Sequence, residues 1–326
     1  MRLVLTGATG LLGNNVARLA LAAGHQVVCP VRRPDDRSLR DLAVETVVMD
    51  AAVAAADWEG ILAGADAVIH SAAMIHIGWT QQEASYSANV QWTERLGMAA
   101  RRVGCRLVHI STVDTLAYSV DGQGVTENQR QPAKPASAYV RSKTAAEQVV
   151  HSLVDQGLDA VILHPGFMLG PWDWKPSSGK MLQAIARGQI PLVPAGGCSA
   201  VVVRDVARGV LSAIERGVAG EHYILAGHNL SYRELFREMA SVVGSRPPRL
   251  PLGPGIAWMA GQAGDLWTKL SRRETDLNSA MVRMGQLRHF YSSEKAAQGL
   301  GYGIGPLLPA IQAAWDFLRA PSDPPS

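Results

Sequence analysis

The chain begins with a glycine-rich turn between a strand-like and a helix-like segment, and this turn constrains the fold more than any other feature. Residues 2–5 are strand-like, Gly7, Gly10 and Gly13 follow with two residues between each pair, and residues 12–23 have helical composition. A helix N-terminus offers unpaired N–H groups and the positive end of the helix dipole to a phosphate, and glycines let the phosphate approach. The order therefore predicts a dinucleotide-binding turn, although the spacing is one residue longer than G-x-G-x-x-G. The alternative is a βα turn that binds nothing.

The composition is that of an ordinary globular protein. The 326 residues are 47% hydrophobic and 18% charged, and their net charge of +3 is too weak to indicate a nucleic-acid partner. Residues 1–13 already read as strand and turn, so we expect no signal peptide, and no uncharged apolar run reaches the ~20 residues that cross a bilayer. Cys29, Cys105 and Cys198 lie far apart without a C-x-x-C pattern, which favours a cytoplasmic protein over a disulfide framework.

Strand-like and helix-like segments alternate after the first helix. The pattern predicts a helix over about 82–103 and strands over 25–31, 46–49, 65–70, 106–111 and 159–164. Alternation at this pace implies βαβ units and parallel strands. The predicted fold class is α/β: a Rossmann-type doubly wound parallel sheet with a smaller, mainly helical substrate-binding lobe at the C-terminal side.

The second half of the chain changes in character and sets the predicted domain boundaries. We expect residues 1–166 to form the dinucleotide-binding domain, rejoined by about 200–226. Residues 167–199 and 227–320 would form the substrate-binding lobe, and 321–326 a disordered tail. The ligand cleft should open at the carboxyl ends of the strands, under this lobe.

Arg32 bears on the choice between NADP(H) and NAD(H). In a dinucleotide fold the residue ~20 positions after the last glycine meets the adenine ribose, and that position falls on Arg32 rather than on an acid. A guanidinium binds a 2′-phosphate through charge-assisted bonds, whereas a carboxylate would repel it. We therefore favour NADP(H), with NAD(H) as the alternative if Arg32 only solvates a loop and Asp35 or Asp36 reaches the ribose instead.

Further cofactor contacts are predicted at the ends of the next strands. Asp50 follows the third strand, where its carboxylate could meet the adenine amino group. Ala72 and Ala73 follow the fourth strand, where small side chains let a cofactor lie against the backbone. Within the glycine turn, the predicted cofactor-binding residues are Gly7, Thr9, Gly10, Leu11, Leu12 and Gly13.

Four polar side chains form the candidate catalytic group. Ser111 and Thr112 end the fifth strand, and Tyr139 and Lys143 lie four residues apart on a predicted helix. A lysine ammonium beside a phenol lowers the phenol pKa from its reference value of ~10, which makes the tyrosine a usable acid or base. The pattern Y-x-x-x-K alone is usually a solvated helix face, but the glycine turn and the hydroxyl pair upstream make it a candidate active site.

Together these motifs resemble the extended short-chain dehydrogenase/reductase family, which is also called the NAD-dependent epimerase/dehydratase family. The similarity extends over nearly the whole chain. In the second half of the chain, the segments that resemble the family are Val201 to Ala207 and Ser292 to Tyr302. Within the family, His164 to Asp173 is most similar to the dihydroflavonol-reductase-like, 3β-hydroxysteroid-dehydrogenase-like and hopanoid-associated epimerase-like branches.

The resemblance assigns roles to individual residues. It implies that Tyr139 is the general acid/base, that Lys143 binds the nicotinamide ribose, and that Thr112, or its neighbour Ser111, holds the reacting oxygen. Residues 165–167, including Pro165 and Phe167, would line the nicotinamide. The residues expected to contact substrate are Met74, Thr112, Tyr139, Phe167, Met168, Trp172 and Trp174.

One departure from the family pattern narrows the range of expected substrates. Sugar-nucleotide epimerases that resemble this chain usually carry Asn where Phe167 stands, and an apolar ring there argues against a nucleotide sugar. The leading hypothesis is an NADP(H)-dependent oxidoreductase for a secondary alcohol or ketone of an apolar small molecule. The alternatives are a sugar epimerase or dehydratase that retains NAD, and a non-catalytic NADP(H) sensor, which intact Tyr139 and Lys143 disfavour.

The remaining features leave alternatives open. His76 and His109 have no second histidine or acid at metal spacing, so we expect packing or surface roles and no metal. The segment 250–273, with its Trp and Met residues and Lys269, Arg272 and Arg273, could cap an apolar substrate, touch a membrane surface or simply pack. The resemblance allows a monomer or a homodimer that pairs through its helices.

Overall fold

A computed structural model describes residues 1–33, 36–49, 55–271, 275 and 277–320. Asp35, Asp50, Arg272, Arg273 and the predicted tail lie outside the described residues. The strands are β1 (Arg2–Thr6), β2 (Gln26–Val31), β3 (Glu45–Val48), β4 (Ala67–His70), β5 (Arg106–Ile110), β6 (Ala160–Pro165), β7 (Phe167–Leu169), β8 (Leu192–Val193), β9 (Gly197–Val202), β10 (His222–Leu225), β11 (His228–Ser231), β12 (Leu250–Pro251) and β13 (Arg288–His289).

The helices alternate with these strands in the first half of the chain and predominate after it. They are α1 (Leu11–Ala22), α2 (Ala55–Leu62), α3 (Gln82–Tyr86), α4 (Trp92–Val103), α5 (Ala138–Asp155), α6 (Gly179–Ala186), α7 (Val203–Arg216), α8 (Tyr232–Val243), α9 (Pro254–Ser271), α10 (Ser279–Gly285), α11 (Glu294–Leu300) and α12 (Leu307–Arg319). A π-helical turn, Ser87–Gln91, joins α3 to α4. None of the described helices is both long enough and apolar enough to span a bilayer.

Among the described residues, seven parallel strands form the main sheet in the order β10-β6-β5-β4-β1-β2-β3. Their side chains are almost continuously apolar because helices cover both faces, as expected of a parallel sheet. The strand order reverses between β1 and β4, and a doubly wound sheet binds its ligand at such a switch point. The predicted Rossmann-type fold is confirmed, and the glycine turn lies at this crevice.

A second sheet belongs to the C-terminal lobe. In the described part of the chain it contains β7, β9, β11 and β13, with β9 at its centre. The strand expected near residue 200 therefore joins this second sheet, although Val201 and Val203 still pack into the core beside β1. The main sheet is rejoined by β10, which pairs with β6.

The chain passes from the main sheet to the second sheet through two close glycine bends. Gly166 separates β6 from β7, and Gly227 lies between β10 and β11. A Cβ on Gly166 would lie 2.5 Å from the Ser199 carbonyl oxygen, and a Cβ on Gly227 would lie 2.3 Å from that of Ala200. Both bends therefore approach β9 more closely than any side chain permits.

Candidate active site

The glycine turn has the geometry that a pyrophosphate requires. Gly7 has φ +74°, a left-handed conformation that favours glycine, and its carbonyl accepts a 3.0 Å hydrogen bond from the Gly10 N–H. Gly10 begins α1 without a side-chain cap, and the first turn of α1 carries no acidic residue. Thr9 is half-buried and Gly10 exposed, so a ligand can reach the turn. These residues fit a dinucleotide, which the N–H groups of Leu11, Leu12 and Gly13 would hold.

The two later glycines of the turn have different surroundings. A Cβ on Gly13 would lie 2.2 Å from the Gly7 carbonyl oxygen, whereas a Cβ on Gly10 would find its nearest neighbour 3.4 Å away. Gly13 therefore lets α1 pack closely against the turn, whereas a Cβ on Gly10 would make only an ordinary contact.

The end of β2 carries the predicted ribose-phosphate residue. Arg32 is exposed immediately after Val31, the last residue of β2. Asp36, an alternative ribose contact, accepts hydrogen bonds from the Ser38 N–H at 3.1 Å and the Ser38 hydroxyl at 2.6 Å. It also pairs with Lys175 at 3.5 Å. Because these groups engage the Asp36 carboxylate, it is a weaker candidate for a ribose than the sequence suggested.

The segment after β4 lies against the glycine turn. The Ala72 N–H donates to the Thr6 hydroxyl at 3.2 Å, and a Cβ on Gly7 would lie 2.7 Å from the Ala72 nitrogen. Ala73 is exposed and Met74 half-buried. The predicted cofactor residues of β1 and β4 thus meet at one edge of the sheet.

Asn89 fixes this segment, and the sequence analysis did not identify it. Its side-chain oxygen accepts from the Met74 N–H at 2.7 Å, and its side-chain nitrogen donates to the Met74 carbonyl at 2.9 Å and to the Ser142 hydroxyl at 2.9 Å. It therefore ties the loop that begins at Met74 to α5. The sequence gives little signal for it, because Asn89 is one of several polar residues in the segment 87–91 and only the structure shows that it is buried there.

Helix α5 presents the candidate acid/base. Ser137 caps the helix by accepting from the Val140 N–H at 3.3 Å, and Tyr139 and Lys143 follow one turn apart as predicted. Both side chains are buried. The Tyr139 N–H donates to the His76 carbonyl at 3.2 Å, so the loop after Met74 also touches the start of α5.

The expected lowering of the Tyr139 pKa is wrong for the protein without a ligand. Burial raises the pKa of the Tyr139 phenol far above its usual value, and the negative charge of Asp114 adds to the rise, whereas a hydrogen bond with Thr112 lowers it. Lys143 does not counter the rise because its ammonium donates to the Ile110 carbonyl at 2.6 Å. The phenol therefore stays protonated at neutral pH.

Lys143 itself is strongly perturbed. Burial lowers the pKa of its ammonium from 10.5 to about 8, and the nearby Glu147 carboxylate opposes this shift. A modest change in its surroundings is enough to change its charge near neutral pH.

The two hydroxyls at the end of β5 have different partners. The Ser111 hydroxyl makes a short hydrogen bond to the Glu147 carboxylate, deep under α5. The Thr112 hydroxyl accepts from the Asp114 N–H at 3.2 Å, and it lowers the pKa of the nearby Tyr139 phenol. Of the two predicted candidates, Thr112 is therefore the one whose hydroxyl meets Tyr139, while Ser111 binds Glu147.

Glu147 is a second buried residue that the sequence analysis missed. It lies one turn after Lys143 on the face that carries Tyr139, so the spacing i, i+4, i+8 was its signal. Besides Ser111, it contacts Arg130 at 3.4 Å. This arrangement holds the end of β5 against α5.

The predicted nicotinamide and substrate residues lie where β6 passes into β7. Pro165 is the buried last residue of β6, and Phe167 and Met168 are half-buried in β7, paired with Ala200 and Val201 of β9. Phe167 also packs against the core of the lobe. This short stretch joins the main sheet to the second sheet.

Trp172 and Trp174 lie elsewhere in the described structure. Both rings contact Phe317 of α12, and the guanidinium of Arg18 lies 3.4 Å from the Trp172 ring centroid. Arg37 lies over Trp174 at 5.4 Å. These contacts join this segment to α1 and to the loop after β2, and they place neither ring beside Tyr139, so a substrate role for them stays a prediction.

Three imidazoles form a chain that leads outward from the site. The Nδ1 of His164 lies 2.9 Å from the Thr112 carbonyl, its Nε2 lies 2.6 Å from His222 Nδ1, and His222 Nε2 lies 2.7 Å from His151 Nε2. A carbonyl only accepts, so Nδ1 of neutral His164 donates and each ring accepts from the next. Glu147, His164 and His222 also lie within 4.8 Å of one another, but these hydrogen bonds engage their ligand atoms.

Comparisons with known proteins agree with this geometry. The model of the NAD dependent epimerase/dehydratase family matches residues 3–226. A Synechocystis sp. protein assigned as a dihydroflavonol 4-reductase is 32% identical, over 91% of this chain and 88% of its own. Sterol demethylase protein B of Methylococcus capsulatus is 31% identical, over 78% and 79%. The crystal structure of gox2253 is 31% identical, covers 97% of each chain and has a TM-score of 0.84.

The parallel sheet, the glycine turn at its switch point and the buried tyrosine–lysine helix define a nicotinamide-dependent enzyme. The chain belongs to the NAD-dependent epimerase/dehydratase family, which confirms the resemblance to the extended short-chain dehydrogenases/reductases. It is accordingly an NAD(P)-dependent oxidoreductase of the extended short-chain type.

Proposed function

We propose that this enzyme interconverts a ketone and a secondary alcohol on an apolar molecule, with NADP(H) as the cofactor. The burial of Tyr139 and Lys143 one turn apart on α5, at the edge of the sheet where β5 ends, carries the proposal. The Thr112 hydroxyl acts on the Tyr139 phenol, and because it accepts from the Asp114 N–H its own proton is available to an oxygen of the substrate.

The protonation state of the site supports the reductive direction. A bound nicotinamide supplies the hydride. The Tyr139 phenol, which burial keeps protonated, donates its proton to the developing alkoxide, and the Thr112 hydroxyl stabilises that oxygen. Lys143, whose ammonium bonds the Ile110 carbonyl rather than the phenol, would hold the nicotinamide ribose.

The surroundings of the site support an apolar substrate. Phe167, Met168 and Met74 are all half-buried apolar side chains next to the strand ends that carry the site. The names of two relatives refer to a flavonol and a sterol, both of which are largely apolar molecules. Exposed Arg32 after β2 supports NADP(H) over NAD(H), and so do the bonds that engage Asp36.

The direct test is reduction of a panel of steroid, terpenoid and flavonoid ketones with NADPH and NADH. Tyr139→Phe should lower kcat by about 10²–10⁴-fold while the Kd for cofactor stays within twofold, since only the proton donor is lost. Tyr86→Phe, which changes a half-exposed tyrosine on α3, is the matched control and should keep full activity. A Tyr139→Phe enzyme with more than a tenth of wild-type activity contradicts the assignment.

Two further measurements separate the alternatives. Arg32→Asp should reduce the preference for NADPH, whereas Arg40→Asp, at another exposed arginine, should leave it unchanged. Net consumption of NADPH with formation of an alcohol excludes an epimerase that recycles its cofactor.

A further inference from the structure

Helix α9 exposes its large apolar side chains and buries its small ones, the reverse of an ordinary surface helix. Ile256, Met259, Leu266, Trp267 and Leu270 are each more than half exposed. They recur at i, i+3, i+10, i+11 and i+14, which places them along one stripe.

The opposite face of α9 is narrow and made of small residues. Ala257, Gly261 and Gly264 are its buried positions. A Cβ on Gly264 would lie 1.8 Å from the Leu277 carbonyl oxygen, and one on Gly261 would lie 2.9 Å from Ser279 Cα. Because this face fits closely against Leu277 and Ser279, the orientation of the helix is fixed, and the stripe of large apolar side chains faces away from the protein.

Among the described residues 246–271 the charged side chains are mostly basic. Exposed Arg246 and Arg249 precede α9, and exposed Lys269 lies in its last turn. Within residues 246–271 the acid is Asp265, which is half-buried and accepts from the Ser279 N–H at 3.0 Å. An apolar stripe between basic ends complements a bilayer that carries anionic headgroups.

Helix α9 is also linked to the active site through two short contacts. The Asn278 side chain, next to the α9 packing face, donates to the Ile77 carbonyl at 2.9 Å, and the Trp79 indole N–H donates to the Ser279 hydroxyl at 2.8 Å. The loop around Ile77 and Trp79 accepts from the Tyr139 N–H through the His76 carbonyl. Helix α9 thus packs on residues that contact the loop covering the start of α5, and the stripe lies on the outer side of this helix.

We propose that α9 lies in the surface of an anionic bilayer and places the active site beside it, so that the enzyme takes its apolar substrate from the membrane. The link to substrate rests on the proposed function, whereas membrane binding does not. In this proposal lipid, rather than a second copy of the chain, covers the stripe.

Sedimentation with vesicles tests the surface directly. The full-length protein should bind vesicles of phosphatidylcholine with phosphatidylglycerol, and binding should weaken as NaCl is added. Leu266→Glu/Leu270→Glu should lower the partition coefficient at least tenfold, and Lys269→Glu about fivefold or more because each basic group near an anionic surface contributes that much. Leu308→Glu, at a half-exposed leucine on α12, is the control and should bind as wild type.

Three outcomes overturn the proposal. The first is a wild-type protein that does not bind the phosphatidylcholine–phosphatidylglycerol vesicles, and the second is a double variant that binds them as tightly as wild type. The third is a protein that is dimeric by light scattering and becomes monomeric only in the double variant, without vesicle binding, because a second copy then covers the stripe.

Activity measurements separate this proposal from the proposed function. The double variant should reduce a water-soluble ketone at the wild-type rate and lose turnover only of ketones embedded in vesicles. If the protein binds vesicles but reduces no ketone, the proposed function fails and the membrane surface stands. If the wild type and the double variant both reduce soluble and vesicle-embedded ketones at equal rates, the supply of substrate from the membrane is refuted.

Discussion

Gly13→Ala should destabilise the protein, although alanine is the better helix former. Gly13 lies inside α1, where helix propensity alone favours alanine by up to about 1 kcal/mol. The structure predicts the opposite sign because the new Cβ would lie 2.2 Å from the Gly7 carbonyl oxygen and 2.9 Å from Ala8 Cα. Both neighbours are backbone, so no flexible side chain can move aside.

The magnitude follows from the displacement that the methyl group requires. Ordinary contact would need α1 to retreat from the turn by about 1 Å, against a core in which Val16 and Ala17 are fully buried. Overpacking of this kind costs about 1–3 kcal/mol, which exceeds the gain in helix propensity. The displaced helix N-terminus would also weaken cofactor binding.

The assay is urea unfolding followed by circular dichroism, with cofactor titration of the folded protein. Gly60→Ala is the matched control, because Gly60 lies in α2 with nothing within 4 Å of its added Cβ. The same substitution should therefore stabilise at position 60 and destabilise at position 13. A Gly13→Ala protein as stable as wild type, with unchanged cofactor affinity, would refute the packing argument.

Three further predictions concern ionisation. Reductive kcat/KM should fall above about pH 8, measured over pH 6–10, because Lys143 then loses the charge with which it would hold the nicotinamide ribose. Glu147→Gln should move this fall to lower pH, since the carboxylate raises the Lys143 pKa; an unmoved profile would assign the fall to another group. Urea unfolding should show stability falling below about pH 6, because burial lowers the pKa values of His70, His109 and His164 and only the unfolded chain then takes up protons. Each histidine contributes up to about 1.4 kcal/mol per pH unit, and flat stability from pH 7 to 5 would contradict this.

Local patterns predicted the framework of the fold and the helix that carries Tyr139 and Lys143. The strand, glycines and helix at residues 2–23 and the four-residue spacing of Tyr139 and Lys143 are encoded within a few residues, so periodicity and spacing suffice. Strand β2 begins one residue later than predicted and ends at the predicted residue.

Long-range partners could not be predicted in the same way. Tertiary packing alone brings together three pairs of residues: Ser111 with Glu147, Met74 with Asn89, and Trp172 with Arg18. The direction of the Tyr139 pKa failed for this reason as well: spacing placed Lys143 on the same face but did not reveal that its ammonium bonds the Ile110 carbonyl.

The two glycine bends at 166 and 227 fix where the residues beyond the main sheet lie. Backbone of β9 fills the space beside both bends, so a side chain at either position would push β7 or β11 away from β9. Phe167 follows the first bend directly, so its position relative to the end of β6 depends on that glycine. A larger residue at either bend should therefore displace the predicted substrate residues of β7 without touching them.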